Sequence, residues 1–97
     1  MVYPNGDTYE GEFVKGMRHG EGTFTAADGS RYEGNWTKNE RNGNGTFYAI
    51  NNNRYVGLWY RNQKEGRGTM YYYNGDVYEG NWKDDKRNGR GTYTYKS

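Results

Sequence analysis

The chain has 97 residues, of which 31% are hydrophobic, 19% aromatic and 27% charged, and its net charge is +2. That length allows a single domain, and so small a charge gives no reason to expect a nucleic-acid partner. Cysteine is absent and no apolar run approaches the roughly 20 residues of a membrane-spanning helix, so disulfide staples and helical spans are excluded and a reducing, cytoplasmic setting is expected.

Leu58 is the sole leucine and Ile50 the sole isoleucine, so apolar burial falls to Tyr, Trp and Phe, each able to hide about 150–250 Å². These rings recur on a strict period. Tyr9, Tyr32, Tyr55 and Tyr78 stand 23 residues apart, followed by Gly11, Gly34, Gly57 and Gly80, then by Phe13, Trp36, Trp59 and Trp82. Gly20, Gly43, Gly66 and Gly89 form a further column, as do Gly22, Gly45, Gly68 and Gly91. Twelve of the 16 glycines lie in these three columns, so glycine is positional rather than filler. A fixed period of this length marks a stacked array of supersecondary units.

In chain order, residues 1–4 read as the strand of a leading half-unit (1–8), followed by a turn at Asn5-Gly6. Across 8–14, Tyr9, Gly11 and Phe13 alternate with Glu10 and Glu12, the period of a strand. Lys15 to His19 reads as a polar loop, and 21–26 as a second strand whose Gly22, Phe24 and Ala26 share one face. Asp28-Gly29 then reads as a two-residue type I′ turn, since Asp-Gly and Asn-Gly tolerate the positive φ that both positions require. The same succession predicts strands at about 31–37, 44–49, 54–60, 67–73, 77–83 and 90–96, within repeats 9–31, 32–54, 55–77 and 78–97. Asn52 replaces the turn glycine in the third connection, which reads as a longer loop. The expected fold is all-β: one elongated, twisted antiparallel sheet, a meander of hairpins roughly 38 Å long with no second layer.

The unit running from Tyr78-Glu79-Gly80-Asn81-Trp82 to Gly89-Arg90-Gly91-Thr92-Tyr93 resembles the repeat of the MORN (membrane occupation and recognition nexus) family. The resemblance covers essentially the whole chain, with Phe13 in place of one Trp and Tyr55-Val56-Gly57-Leu58-Trp59 as a variant. It implies an aromatic groove and a scaffold or targeting role in cilia, cytoskeletal structures or membrane junctions.

Three surfaces follow as candidates. The first is the aromatic–glycine face, with Tyr9, Phe13, Phe24, Tyr32, Trp36, Phe47, Tyr55, Trp59, Met70, Tyr78 and Trp82. A lone sheet cannot cover both its faces, so part of this ribbon is expected to receive a protein partner, a helix or an extended peptide. On the second face the outer repeats are polar, whereas Tyr48, Ile50, Val56, Leu58, Tyr60, Tyr71 and Tyr73 form an apolar patch suited to a homodimer. Third, Arg18, Arg41, Lys64 and Arg87 form a basic column in the predicted loops, which could meet anionic membrane lipids such as phosphoinositides at the sheet edge, the alternative being a peripheral membrane-targeting module. Catalysis has no foothold. His19 is the lone histidine, no nucleophile stands beside it, and no acidic cluster has metal-ligand spacing. The chain is therefore expected to act without cofactor or metal, as an interaction scaffold.

Overall fold

In the computed structural model, which describes residues 1–96, eight strands follow one another: β1 (Thr8–Val14), β2 (Met17–Thr25), β3 (Arg31–Thr37), β4 (Glu40–Tyr48), β5 (Arg54–Tyr60), β6 (Gln63–Tyr71), β7 (Val77–Lys83) and β8 (Lys86–Thr94). They pair antiparallel in sequence order as one open sheet measuring 45 × 23 × 17 Å. No helix and no second layer accompany it among the described residues. The leading half-unit contributes only a bridge, Val2 opposite Thr8, instead of the ninth strand expected at 1–4.

Rings and bare backbone alternate because one lies on the other. Gly11 faces Gly22, Gly34 faces Gly45, Gly57 faces Gly68 and Gly80 faces Gly91 across each hairpin. A Cβ at Gly22 would overlap the Tyr9 hydroxyl and ring, and one at Gly45 would overlap those of Tyr32. Each tyrosine thus lies flat across a glycine pair, and its hydroxyl donates to a backbone carbonyl three residues on, such as Asn35 O at 2.9 Å for Tyr32. Each tryptophan bonds back to the preceding repeat, Trp36 Nε1 donating to Gly22 O and Trp59 Nε1 to Gly45 O, both at 3.1 Å.

The two connecting edges have exchanged the turn types expected of them. The two-residue, positive-φ turns are Lys15-Gly16, Lys38-Asn39, Arg61-Asn62 and Asp84-Asp85, where a five-residue polar loop was expected. Such a turn matches the right-handed strand twist, so pairing runs on to Val14 opposite Met17 and Thr37 opposite Glu40. The even strands consequently begin four residues earlier than their glycine columns suggest. On the other edge only Gly29 of Asp28-Gly29 has positive φ. Gly29 N donates to Ala26 O and Ala26 N to Ser30 O, giving a three-residue loop that ends in a left-handed glycine. Asn52 takes that conformation at φ 72°, and Asn52 N bonds Ala49 O while Ala49 N bonds Asn53 O. The third connection is therefore the same length as the others, because asparagine tolerates the left-handed region.

Each even strand carries a bulge. Between the pairs Gly34↔Gly45 and Trp36↔Arg41, β3 advances two residues while β4 advances four. Gly43, inside that excess, has φ 92°, a value a glycine accommodates without strain. The glycine columns 20, 43, 66 and 89 exist for this bulge rather than for the strand alternation.

Candidate functional site

The aromatic face is a closed chain of edge-to-face rings. Trp36 meets Tyr32 of its own repeat at 5.1 Å between centroids and Tyr9 of the preceding one at 5.6 Å. Trp59 likewise meets Tyr55 and Tyr32, and Trp82 meets Tyr78 and Tyr55. Interplanar angles near 85° suit the ring quadrupoles, each such pair adding about 0.5–1.5 kcal/mol beyond area burial. The tyrosines, rather than Phe24, Phe47 and Met70, fill the gaps between successive tryptophans.

This packing alters the expected groove. Tyr9 is 1% exposed, Trp36 4% and Trp59 4%, and Tyr32, Tyr55, Tyr78 and Trp82 are also buried. Those seven residues form the core and leave a partner little ring surface. What remains accessible is a second rank, the half-buried Phe24, Phe47, Met70 and Tyr93, together with Tyr3 and Tyr72. Phe13 stands apart at 40% exposure, because no preceding repeat places a tyrosine over it as Tyr9 lies over Trp36.

The basic column is not in loops. Arg18, Arg41, Lys64 and Arg87 occupy β2, β4, β6 and β8, opposite Phe13, Trp36, Trp59 and Trp82. Their heads lie over the aromatic face: Arg18 Cζ is 4.6 Å from the Trp36 centroid and 5.0 Å from that of Phe24, and Arg41 Cζ is 4.6 Å from that of Trp59. Lys64 Nζ is 5.7 Å from both Trp59 and Trp82, and Arg87 Cζ is 5.4 Å from Tyr78. These cation–π contacts, about 0.5–2 kcal/mol each, help to cover rings that a one-layer sheet would otherwise leave wet.

A second column, of polar turn residues, partners the basic one. Asn39 Oδ1 accepts Arg18 N at 2.8 Å and Arg18 Nε at 3.2 Å, while Arg18 Nη2 donates to Asn39 O. Asn62 repeats this with Arg41, and Asp85 accepts Lys64 N at 2.7 Å. At the opposite edge Asp7, Asn53 and Asp76 accept the backbone N–H of Ala27, Tyr73 and Lys96 in the following repeat. Both columns recur at the 23-residue period, a signal that polar turn residues readily hide.

Two hollows lie side by side on this face. One of about 380 Å³ is lined by Arg18, Phe24, Tyr32, Trp36, Arg41 and Phe47, with Asn39 and Asn62 at its rim. The other, about 460 Å³, is lined by Tyr3, Pro4, Asn5, Asp7, Arg18 and Phe24. They share Arg18 and Phe24, so the depression runs along the array across successive repeats.

On the second face Tyr48, Val56, Leu58, Tyr60 and Tyr71 stand on the adjoining strands β4, β5 and β6. Ile50 and Tyr73, expected on those strands, lie instead in the three-residue loops that follow β4 and β6. Val56, Leu58, Tyr60 and Tyr71 are exposed, while Arg54 covers the Tyr71 ring at 4.4 Å and Arg31 that of Tyr48 at 4.2 Å.

Comparison with known families gives one result. The MORN repeat pattern matches residues 9–31, 32–54, 55–77 and 78–97. The chain belongs to the MORN-repeat family. MORN repeats generally mediate protein or membrane interactions, form a non-enzymatic repeat family, and occur in cytoskeletal and membrane-associated proteins. No curated protein matches the chain. The MORN frame accounts for the columns that build the sheet, whereas Asp85, standing where Asn39 and Asn62 stand in the two preceding repeats, sets the last junction apart.

Proposed function

We propose that this MORN array is a non-catalytic interaction scaffold that seats a helix or extended peptide of a protein partner along its aromatic face. The observation carrying this reading is the double hollow from Tyr3 to Asn62, floored by half-buried Phe24 and Phe47 and walled by Arg18 and Arg41. Aromatic anchors beside arginine are the composition of binding hot spots. The seven core rings hold this floor rigid, and two of them, Tyr32 and Trp36, border the hollow from beneath. A cytoskeletal or ciliary setting accords with a scaffold of this kind.

The test uses peptides selected from a display library on the immobilised protein. Their Kd should rise about tenfold or more for the variant carrying Phe24→Ser and Phe47→Ser, the size of a lost hot-spot pair. Leu58→Ser, on the opposite face, should leave Kd unchanged. Equal losses in the two variants would refute the groove.

A second reading, self-association through the other face, is favoured by the exposed cluster of Val56, Leu58, Tyr60 and Tyr71. Sedimentation should then detect a dimer that Leu58→Glu turns into a monomer; a wild-type monomer at every concentration sinks this idea. Docking on anionic lipid through Arg18, Arg41, Lys64 and Arg87 has less support. Arg18, Arg41 and Lys64 are half-buried over rings and bonded to turns of the next repeat, not displayed at an edge.

A further inference from the structure

The geometry points to Arg18 and Arg41 as a paired-guanidinium clamp for an acidic helical segment of a partner protein, an inference that rests on the aromatic face being the interaction surface. Both guanidiniums border the same 380 Å³ hollow, and Phe24 and Phe47 complete its floor. Both are half-buried, and their hydrogen bonds go to the uncharged oxygens of Asn39 and Asn62. Among the described residues the ion pairs are Arg31–Glu33, on the other face, and Lys64–Asp85 at 3.6 Å. Neither clamp arginine therefore has a carboxylate of its own. Burial lowers the pKa of Arg41, opposed by the attraction of Asp85, so this guanidinium has lost part of its hydration. A partly dehydrated cation with no carboxylate within ion-pair distance gains most from one that enters the hollow, and the guanidinium fork suits that geometry.

Spacing narrows the class of partner. Arg18 and Arg41 hold equivalent places two strands apart, about 10 Å. In a β-strand ligand, residues three apart span about 10 Å but project to opposite sides. In an α-helix, residues seven apart span about 10.5 Å on one face. Two carboxylates separated by two helical turns, with apolar side chains between them over Phe24 and Phe47, complement the site. A lipid bilayer does not, since its headgroups would have to enter a hollow between side-chain walls.

The probe is a synthetic helical peptide with glutamates seven positions apart and leucines facing the same side, compared with a scrambled peptide of equal composition. Tryptophan fluorescence reports binding, because the clamp cations lie over Trp36 and Trp59. Arg18→Gln and Arg41→Gln should each weaken the patterned peptide about tenfold or more, as loss of a charged hydrogen bond does. Arg67→Gln removes the same charge from the opposite face, opposite Asn81 and beside Glu79, and should change Kd less than about twofold. Asp85→Asn, which frees Lys64, should strengthen binding. If circular dichroism shows that a glutamine variant fails to fold, Arg18→Lys and Arg41→Lys replace it. Lysine already stands in this column at position 64, and losing the fork should still cost several-fold in Kd.

Equal weakening by Arg67→Gln, equal binding of the scrambled peptide, or phosphatidylserine vesicles displacing the patterned peptide would each overturn the clamp. If library-selected peptides still occupy the Phe24–Phe47 floor while the glutamate peptide does not bind, the clamp is wrong and the interaction surface stands.

Discussion

Repeats one and two differ from repeats three and four in charge balance while sharing one backbone. At the first two junctions an arginine meets an asparagine, Arg18 with Asn39 and Arg41 with Asn62; at the third, Lys64 meets Asp85. Phe24 and Phe47 give way to Met70 on the same rank. Backbone pairing and ring stacking are nonetheless alike at all three junctions. In an array where each unit touches only its neighbours, the columns that build the sheet cannot vary without breaking it. The columns on its surface can, so specificity collects there.

If the halves share one scaffold, deleting its principal ring must hurt both alike. Trp36→Ala and Trp82→Ala should each cost about 3–5 kcal/mol in urea unfolding. A loss of less than about 1 kcal/mol at either site would show that half to be held by something other than the ring chain. The expected equality also has a structural reason: each tryptophan loses two edge-to-face partners and one hydrogen bond to the preceding repeat.

A smaller effect separates the halves by charge. Burial pushes the phenols of Tyr32 and Tyr55 from 10.0 up to about 12, but Arg41 opposes the shift at Tyr32, whereas Asp85 adds to it at Tyr55. Because the folded state keeps these protons where the unfolded chain has lost them, their stabilisation is complete below about pH 10. It is lost as pH rises towards about 12. Thermal melts should fall across that window. In ring-carbon NMR titrations, Asp85→Asn should lower the Tyr55 pKa and leave that of Tyr32 in place. Movement of both, or of neither, would show that the charge difference between the junctions does not reach the core.

Much of the fold was legible because its rules are local. Period-two alternation placed Tyr32, Gly34 and Trp36 on one side, and the 23-residue period made every hairpin a copy of the last. Turn chemistry was less legible. Asp28-Gly29 looks like a two-residue turn, yet its hydrogen bonds close a three-residue loop, while Lys38-Asn39 and Asp84-Asp85 carry the positive φ without advertising it. The aromatic face was legible as a list of residues and not as an arrangement. Phe24 and Phe47 were placed on the correct face, but that Trp36 is sealed while they stay half open depends on how rings from adjoining repeats interleave.

The sequence by itself determined a single-layer meander of four repeats, since alternating rings and glycines at fixed spacing admit no other economical way to cover the rings. Only the tertiary structure decided that Arg18 and Arg41 lie inward over those rings and not outward in loops. The reason is register: tight two-residue turns keep β2 and β4 paired almost to the hairpin tip, which carries each arginine opposite an aromatic and under the turn of the next repeat.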